Sequence, residues 1–324
     1  MKRSLPLRLS KNGPGASMMQ ASVILIVLII LAYILSSGVF IQPTNLLNIL
    51  RQNTMLLIVV LAEFLVILTG GIDLSLGAVV AFSSVIVVLF QGYGLGLALV
   101  MALAGGLLIG LLNGMLITYL RLPAFVITLA MQQIVYSVAK VMTNGAKIEH
   151  SLNGAMLNMR LTQLYKQDLF GVSVPIWFCV GMVLLVSVYM HTKYGYYIYA
   201  IGGNDKAARM SGLPVKTVRI MAYVLSGLFS ALAGFLFVSR VGTGDPDTGT
   251  LLSMDAIAAC TIGGTSLAGG KGNVSGTVIG LLVLCVLNNV MSLVHVSPNI
   301  QPLVKGLVIL IAVYMNNMKS KGDN

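Results

Sequence analysis

Long apolar runs, separated by short polar or glycine-rich segments, make up nearly the whole chain. A helix needs about 20 apolar residues to cross the hydrocarbon core of a bilayer, so the runs predict an all-α integral membrane protein with about ten transmembrane helices. The predicted spans are residues 19–37, 44–69, 72–90, 97–120, 124–142, 172–190, 220–239, 254–267, 274–294 and 303–315.

Two of these runs are short and end in a glycine pair. Residues 54–69 end at Gly70-Gly71, and residues 254–267 contain Gly263-Gly264. Each is followed by a stripe of glycines at four-residue spacing, at positions 106, 110 and 114 in one half and 272, 276 and 280 in the other. The first stripe predicts close approach of a neighbouring helix. The pattern predicts broken helices in a weak two-half internal repeat, which points to a transport pathway because broken backbone survives in a membrane only where it meets protein or lines a cavity. Ordinary helix ends with glycine caps are the open alternative.

Composition and charge agree with a membrane protein and set its orientation. The 324 residues are 57% hydrophobic and 9% charged, against about 25% charged in soluble domains. The net charge of +11 comes largely from short loops and tails, which favours contact with membrane lipid over nucleic acid. The positive-inside rule predicts a cytoplasmic basic tail over residues 1–18, a membrane domain over 19–316 and a cytoplasmic tail over 317–324.

The most basic loop, residues 191–219, is predicted to be cytoplasmic. Residues 205–210 have the composition of a short helix, with Asn204 or Asp205 as its N-cap. Gly212 is predicted to end that helix, and Pro214 prevents its continuation. A short helix held between two spans gives a soluble partner a surface to push against.

Polar residues within the apolar runs are candidates for the pathway, because acidic groups at depth usually face an interior or a cavity. Glu63 is predicted either to contact a polar substrate or to pair with Asn53 or with a Ser or Thr of a neighbouring helix. For Asp73 and Ser75 we favour capping of the third helix, with a gating role as the second interpretation. The candidate pathway residues are Glu63, Gly70, Gly71, Asp73, Ser75, Asn113, Gly263, Gly264, Thr265 and Ser266.

Enzyme and metal chemistry find no support in the sequence. It has no phosphate-binding loop of the Walker type, no nucleophile elbow and no HExxH motif. Its three cysteines lie in apolar segments without ligand-spaced neighbours, so neither a disulfide nor a metal site is predicted.

Several motifs resemble the permease subunits of bacterial ATP-binding-cassette importers for monosaccharides, the ribose permeases above all. They are ILTGGIDLS at 67–75, YAIGGNDKAARMSG at 199–212, DAIAA at 255–259, IGGTSLAGGKG at 262–272, NN at 288–289 and VKGLVIL at 304–310. The resemblance runs from about residue 40 to the C-terminus and is more specific in the second half.

The resemblance implies a bacterial inner-membrane permease that moves a sugar delivered by a periplasmic or lipid-anchored binding protein. It implies a second permease subunit, identical or related, and separate ATPase subunits that carry ATP and Mg, with no cofactor in this chain. The coupling residues would be Gly203, Asn204, Asp205, Ala207, Ala208, Arg209, Ser211 and Gly212. A proton-coupled secondary transporter that uses Glu63 is the alternative.

Overall fold

The protein is described from a computed structural model, which covers residues 14–156, 159–308 and 310. Of the tail predicted for 1–18, residues 1–13 lie outside the described residues and residues 14–18 belong to the first helix, while the tail predicted for 317–324 lies entirely outside them. The helices are α1 Pro14–Leu35, α2 Pro43–Gln52, α3 Thr54–Leu68, α4 Leu76–Phe90, α5 Leu95–Leu120, α6 Ala124–Thr143, α7 Met159–Lys166, α8 Val174–Met190, α9 Lys193–Gly203, α10 Asp205–Met210, α11 Val215–Val241, α12 Leu252–Ile262 and α13 Val274–Leu293. Residues 301–308 are also helical, and strands β1 Asp168–Leu169 and β2 Val172–Ser173 form a small antiparallel pair.

The described helices confirm an all-α membrane fold and make the count of ten approximate. Six helices are long and apolar enough to cross a membrane, or up to eight if each of two bent pairs is one span. The predicted second span is one such pair, because α2 and α3 meet at an angle of 48°. The predicted eighth span is α12, whose 11 residues extend only about 16 Å. It is therefore too short to cross a hydrocarbon core of about 30 Å by itself.

Helix α3 lies at the centre of the bundle. Residues 58–68 are all buried, because α11, α12, α13, α8 and α9 pack around them. The outer helices are different: only 11% of the apolar window of α1 and 17% of that of α6 are buried. Their exposed apolar faces are what contact with lipid or with another membrane helix requires.

The first glycine stripe brings α5 against α11, as its spacing predicted. A Cβ built on Gly106 would lie 2.4 Å from the carbonyl oxygen of Gly227, and one on Gly110 would lie 2.3 Å from that of Tyr223. Only glycine permits this approach of two helix backbones.

Ion pairs hold the segments at the end of the bundle that carries α7, which we call the α7 end. Arg51 pairs with Asp168 at 2.6 Å. Two further pairs join α6 and the loop after it to the loop after α11; they are Lys140–Asp247 and Lys147–Asp245. Between α6 and α8 the chain also forms α7 and the hairpin of β1 and β2.

Candidate transport and coupling site

The short helix α10 forms as predicted, at the opposite end of the bundle from α7, which we call the α10 end. Asn204 is its N-cap, and its Oδ1 accepts a hydrogen bond from the Ala207 N–H at 3.0 Å. Gly212 follows with φ at 77°, a conformation that only glycine adopts without strain. The exposed predicted coupling residues are Gly203, Asn204, Ala207, Arg209, Ser211 and Gly212.

One acidic residue fastens α10 to the bundle. Asp205 pairs with Arg209 at 2.9 Å within α10 and with Arg219 of α11 at 3.0 Å. Ala208 is buried, so it anchors the helix rather than facing outward. Met210 is 88% exposed and was missed by the sequence analysis, although a large apolar residue at the tip of a polar helix was a usable signal.

Helix α9 changes the prediction for the loop that contains α10. Residues 191–219 were expected to be a soluble connection, but 193–203 form a helix that continues α8 after a bend of 72°. Ile198 and Ile201 are buried in the same core as α3. The apolar side chains, interleaved with tyrosines, hold this part of the segment inside the bundle.

Backbone-to-backbone contacts join α9 to both glycine-ended helices. We call Gly70, Gly202, Gly203, Gly269 and Gly270 the glycine junction. A Cβ on Gly269 would lie 2.7 Å from the Gly70 nitrogen, and one on Gly270 would lie 2.5 Å from the Gly203 nitrogen. The Gly270 N–H also donates to the carbonyl oxygen at the end of α3, at 3.0 Å. The last two residues of α9, just before the N-cap of α10, thus pack against the end of α3 through Gly202 and against the second break through Gly202 and Gly203.

The first break, residues 69–75 between α3 and α4, contains a buried carboxyl cluster of Glu63, Asp73, Ser75, Asn113 and Ser226. Asp73 Oδ1 accepts from the Ser75 N–H at 3.0 Å and from its hydroxyl at 2.6 Å, while Oδ2 accepts from the Ser226 hydroxyl at 2.8 Å. The Asn113 amide donates to the Ser75 hydroxyl oxygen at 2.8 Å. The Asp73 N–H donates to the Glu63 carboxylate at 3.2 Å.

The cluster joins five polar side chains, four of which the sequence placed on the pathway. The favoured capping of α4 is not found, because the N-cap residue Ser75 makes no side-chain cap bond and Asp73 accepts from the Ser75 N–H in the turn before the helix. Among the described residues, Glu63 bonds neither to Asn53 nor to a Ser or Thr, and its carboxylate accepts from the Asp73 N–H of the first break. Ser226 was missed, since a serine in a long apolar run gives no local sign of a distant carboxylate.

The second break, residues 263–273 between α12 and α13, buries only neutral residues, and its one charged side chain, Lys271, is exposed. A Cβ on Gly263 would lie 2.3 Å from the Gly276 carbonyl oxygen, so the second glycine stripe serves the contact between α12 and α13. Thr265 and Thr277 share a hydrogen bond of 3.2 Å between their hydroxyl groups. Gly264 has φ at 87° and turns the chain away from α12.

The second break meets the first at the glycine junction, where the Ala268 carbonyl oxygen also lies near Gly70. Ser266 accepts from the Gly269 N–H and donates its own N–H to Lys271, so it closes a local turn. Asp255 of α12 forms an ion pair with Lys305 at 3.1 Å. The two sets of predicted pathway residues therefore form two sites, not one.

Comparison with known proteins agrees with this architecture. Residues 45–313 match the family described as the permease component of a branched-chain amino acid transport system. No solved structure matches the chain.

Curated relatives match over nearly their full length. The chain is 41% identical over 310 residues to the ribose import permease of Escherichia coli strain K12, covering 91% of this chain and 93% of the relative. It is 40% identical over 299 residues to the ribose import permease of Bacillus subtilis strain 168, covering 91% of each. It is 33% identical over 317 residues to an L-arabinose ABC transporter permease of Azospirillum brasilense, covering 96% of this chain and 91% of the relative.

The family description names amino acids, whereas these relatives are named for sugars, and identity at this level over full length is the more specific of the two comparisons. The resemblance that the motifs predicted is confirmed: the chain belongs to the family of multi-pass membrane permease components of transport systems that includes these sugar import permeases.

Proposed function

We propose that this chain is the membrane-spanning permease subunit of an ATP-driven importer for a monosaccharide, ribose or a similar pentose or hexose. The observation that carries the proposal is the position of α10, exposed at its tip and joined at its base to both broken helices. A chain that only conducted passively would not need such a helix. The names of the relatives, ribose and L-arabinose permeases, support a sugar as the substrate.

Helix α10 would be the element that ATPase subunits move. Its Met210 side chain is available to enter an apolar groove of a partner, and Asp205 ties the helix to α11 through Arg219. Because Gly202 lies against the Leu68 carbonyl oxygen at the end of α3, and Gly202 and Gly203 lie against Gly269 and Gly270, displacement of α10 would reach both breaks through backbone contacts. Contacts between backbones have no flexible side chain to absorb the motion, so they transmit it.

The other partners and the orientation follow from the same scheme. The α10 end and both termini would be cytoplasmic, in the bacterial inner membrane, with ATP and Mg bound by the ATPase subunits. The α7 end would dock the sugar-binding protein. A second permease subunit would cover part of the exposed apolar surface.

The test of energy coupling is sugar uptake by cells with and without this gene and its partner genes. We expect uptake of radiolabelled ribose, or of arabinose or xylose, to stop after ATP depletion by arsenate and to continue under a protonophore. The opposite pattern would contradict the proposal and favour proton coupling through Glu63. An empty-vector strain is the control.

The test of the coupling surface is Met210→Glu, compared with Met156→Glu at the α7 end. Both methionines are strongly exposed, at 88% and 70%, so neither charge disturbs the core. We expect Met210→Glu to lower co-purification of the ATPase and uptake by about tenfold or more, since a charge enters an apolar contact. Co-purification should be normal with Met156→Glu. Equal co-purification of both variants would rule out α10 as the docking helix.

A further inference from the structure

A cavity of about 330 Å³ opens beside α10, between the first break and the start of α11. Its wall contains Gly70 and Gly71 of the break, Arg209 of α10 and Arg219 of α11. The space is at the lower end of the volumes of small-molecule sites. These wall residues place the cavity between α10 and the first break.

Positive charge lines this cavity in excess. Arg121, Arg209 and Arg219 all contribute to its wall. Asp205 accepts one hydrogen bond from Arg209 and one from Arg219, while Arg121 has no acidic partner among the described residues. Each guanidinium has five N–H donors. Three arginines against one carboxylate leave both charge and donors for an anion.

Two hydroxyl groups in the same wall have no acceptor among the described residues. The Tyr223 and Thr118 hydroxyl groups are buried and neither donates a hydrogen bond, although the Ile72 backbone N–H lies beside the Tyr223 oxygen. Tyr223 is fully buried and Thr118 is only 7% exposed. Buried polar groups nearly always have a hydrogen-bond partner. An oxygen-rich ligand in the cavity would supply an acceptor for each of them.

We propose that this cavity binds a phosphate monoester, with the phosphate among the three arginines and within reach of the two hydroxyl groups. Arginine suits phosphate because its planar donor pairs match two phosphate oxygens at once. The volume admits a phosphate with a small polyol attached. Neutral sugar fits the site less well, because it would leave the arginine charges uncompensated.

Binding would have a regulatory consequence, which rests on the proposed function. A phosphate held by Arg209 and Arg219, next to Gly70 and Gly71, ties α10 and α11 to the first break. The same contact that transmits the movement of α10 would then be fixed. Import would therefore be slower when the cavity is occupied. The phosphorylated form of an imported sugar is a phosphate monoester and belongs to the class of ligand that fits this cavity.

The binding experiment uses the purified full-length chain in neutral detergent, titrated with glycerol 3-phosphate by isothermal calorimetry, with glycerol as the uncharged comparison. We expect saturable binding of the phosphate ester and none of glycerol. Arg121→Gln should weaken binding about tenfold, because it removes a charged donor set while the pairs of Asp205 remain. Tyr223→Phe should weaken the binding of glycerol 3-phosphate by a smaller factor, because it removes only one hydroxyl oxygen.

Lys193→Gln is the matched control, since Lys193 is an exposed cation at the α10 end of the bundle but is not part of the cavity wall. Loss of affinity in Arg121→Gln but not in Lys193→Gln supports the site. Equal affinities of wild type, Arg121→Gln and Tyr223→Phe, or no binding to wild type, overturn it. The binding result stands apart from transport, so failure of the importer assignment leaves this test intact.

A second arm distinguishes a free phosphate ester from a lipid headgroup, which share this chemistry. The chain is placed in nanodiscs with or without phosphatidate. If the affinity for glycerol 3-phosphate is the same in nanodiscs with and without phosphatidate, the cavity is assigned to the soluble ester. If phosphatidate competes with glycerol 3-phosphate and Arg121→Gln abolishes that competition, the cavity is assigned to the lipid headgroup. Competition that persists in Arg121→Gln contradicts binding in this cavity.

Discussion

The two breaks in the membrane helices look alike in sequence and differ in chemistry. Each follows a short apolar helix, and each begins with a glycine pair. The first break contains the carboxyl cluster, in which Asp73 accepts three hydrogen bonds from Ser75 and Ser226. The second contains a neutral pair, Thr265 and Thr277. Similar backbone breaks thus support a polar interior in one half and a close helix contact in the other.

What the two breaks share is the glycine junction. The first contributes Gly70, the second contributes Gly269 and Gly270, and α9 lies against both through Gly202 and Gly203. The glycines explain why the breaks can meet, whereas the side chains explain why they differ. Variants that affect the shared contact should therefore have larger effects than variants within either break.

Gly202→Val should have the largest effect. A Cβ at this position would lie 1.8 Å from the Leu68 carbonyl oxygen, and a backbone atom cannot move aside as a flexible side chain can. We expect a loss of about 4 kcal/mol or more in the free energy of unfolding, measured by denaturation in mixed micelles. Gly203→Ala is the control, because nothing lies within 4 Å of its added Cβ. A Gly202→Val protein as stable as Gly203→Ala would contradict the close contact.

Asp73→Ala should have the next largest effect, confined to the first break. It removes the acceptor of three hydrogen bonds at a fully enclosed position and leaves the Ser226 and Ser75 hydroxyl groups without their partner. We expect a loss of about 2–4 kcal/mol. Asp247→Ala removes a carboxylate that is 58% exposed, in an ion pair that contributes little. Equal losses in the two variants would mean that the cluster does not stabilise the break.

Thr265→Val should have the smallest effect and tests the second break. Valine has nearly the same shape, and Thr277 keeps its hydrogen bond to the Asn273 carbonyl oxygen at 3.0 Å. We expect a loss of about 1 kcal/mol or less by the same measurement. A loss as large as that of Asp73→Ala would show that the stability of the second break depends on its side chains as much as that of the first break does.

The sequence predicted most of the helices and the coupling element, because these depend on local patterns. Apolar runs, the Asn204 cap and Gly212 all act within a few residues, so α10 appears where it was expected. The glycine stripe on α5 predicted a close helix contact without naming α11 as the partner. The likeness of the breaks was predicted, but their different chemistry was not.

Errors arose where tertiary contacts overrode local composition. Residues 193–203 were expected in a soluble loop, yet Ile198 and Ile201 pack in the core beside α3. The partner of Asp255 was also not predictable, because Lys305 lies 50 positions away along the chain. Such pairs depend on how helices are arranged, and no local pattern specifies that arrangement.

The sequence by itself determined the class of the protein, the breaks and the short exposed helix α10, since hydrophobic length, glycine positions and a local cap limit what a chain can do in a bilayer. Only the tertiary structure decided which side chains meet. It joined Asp73 to both Glu63 and Ser226 and brought α9 to both breaks. It also placed three arginines beside two hydroxyl groups that lack an acceptor among the described residues. The physical reason is that helix packing in a membrane depends on close backbone approach and buried hydrogen bonds between distant segments.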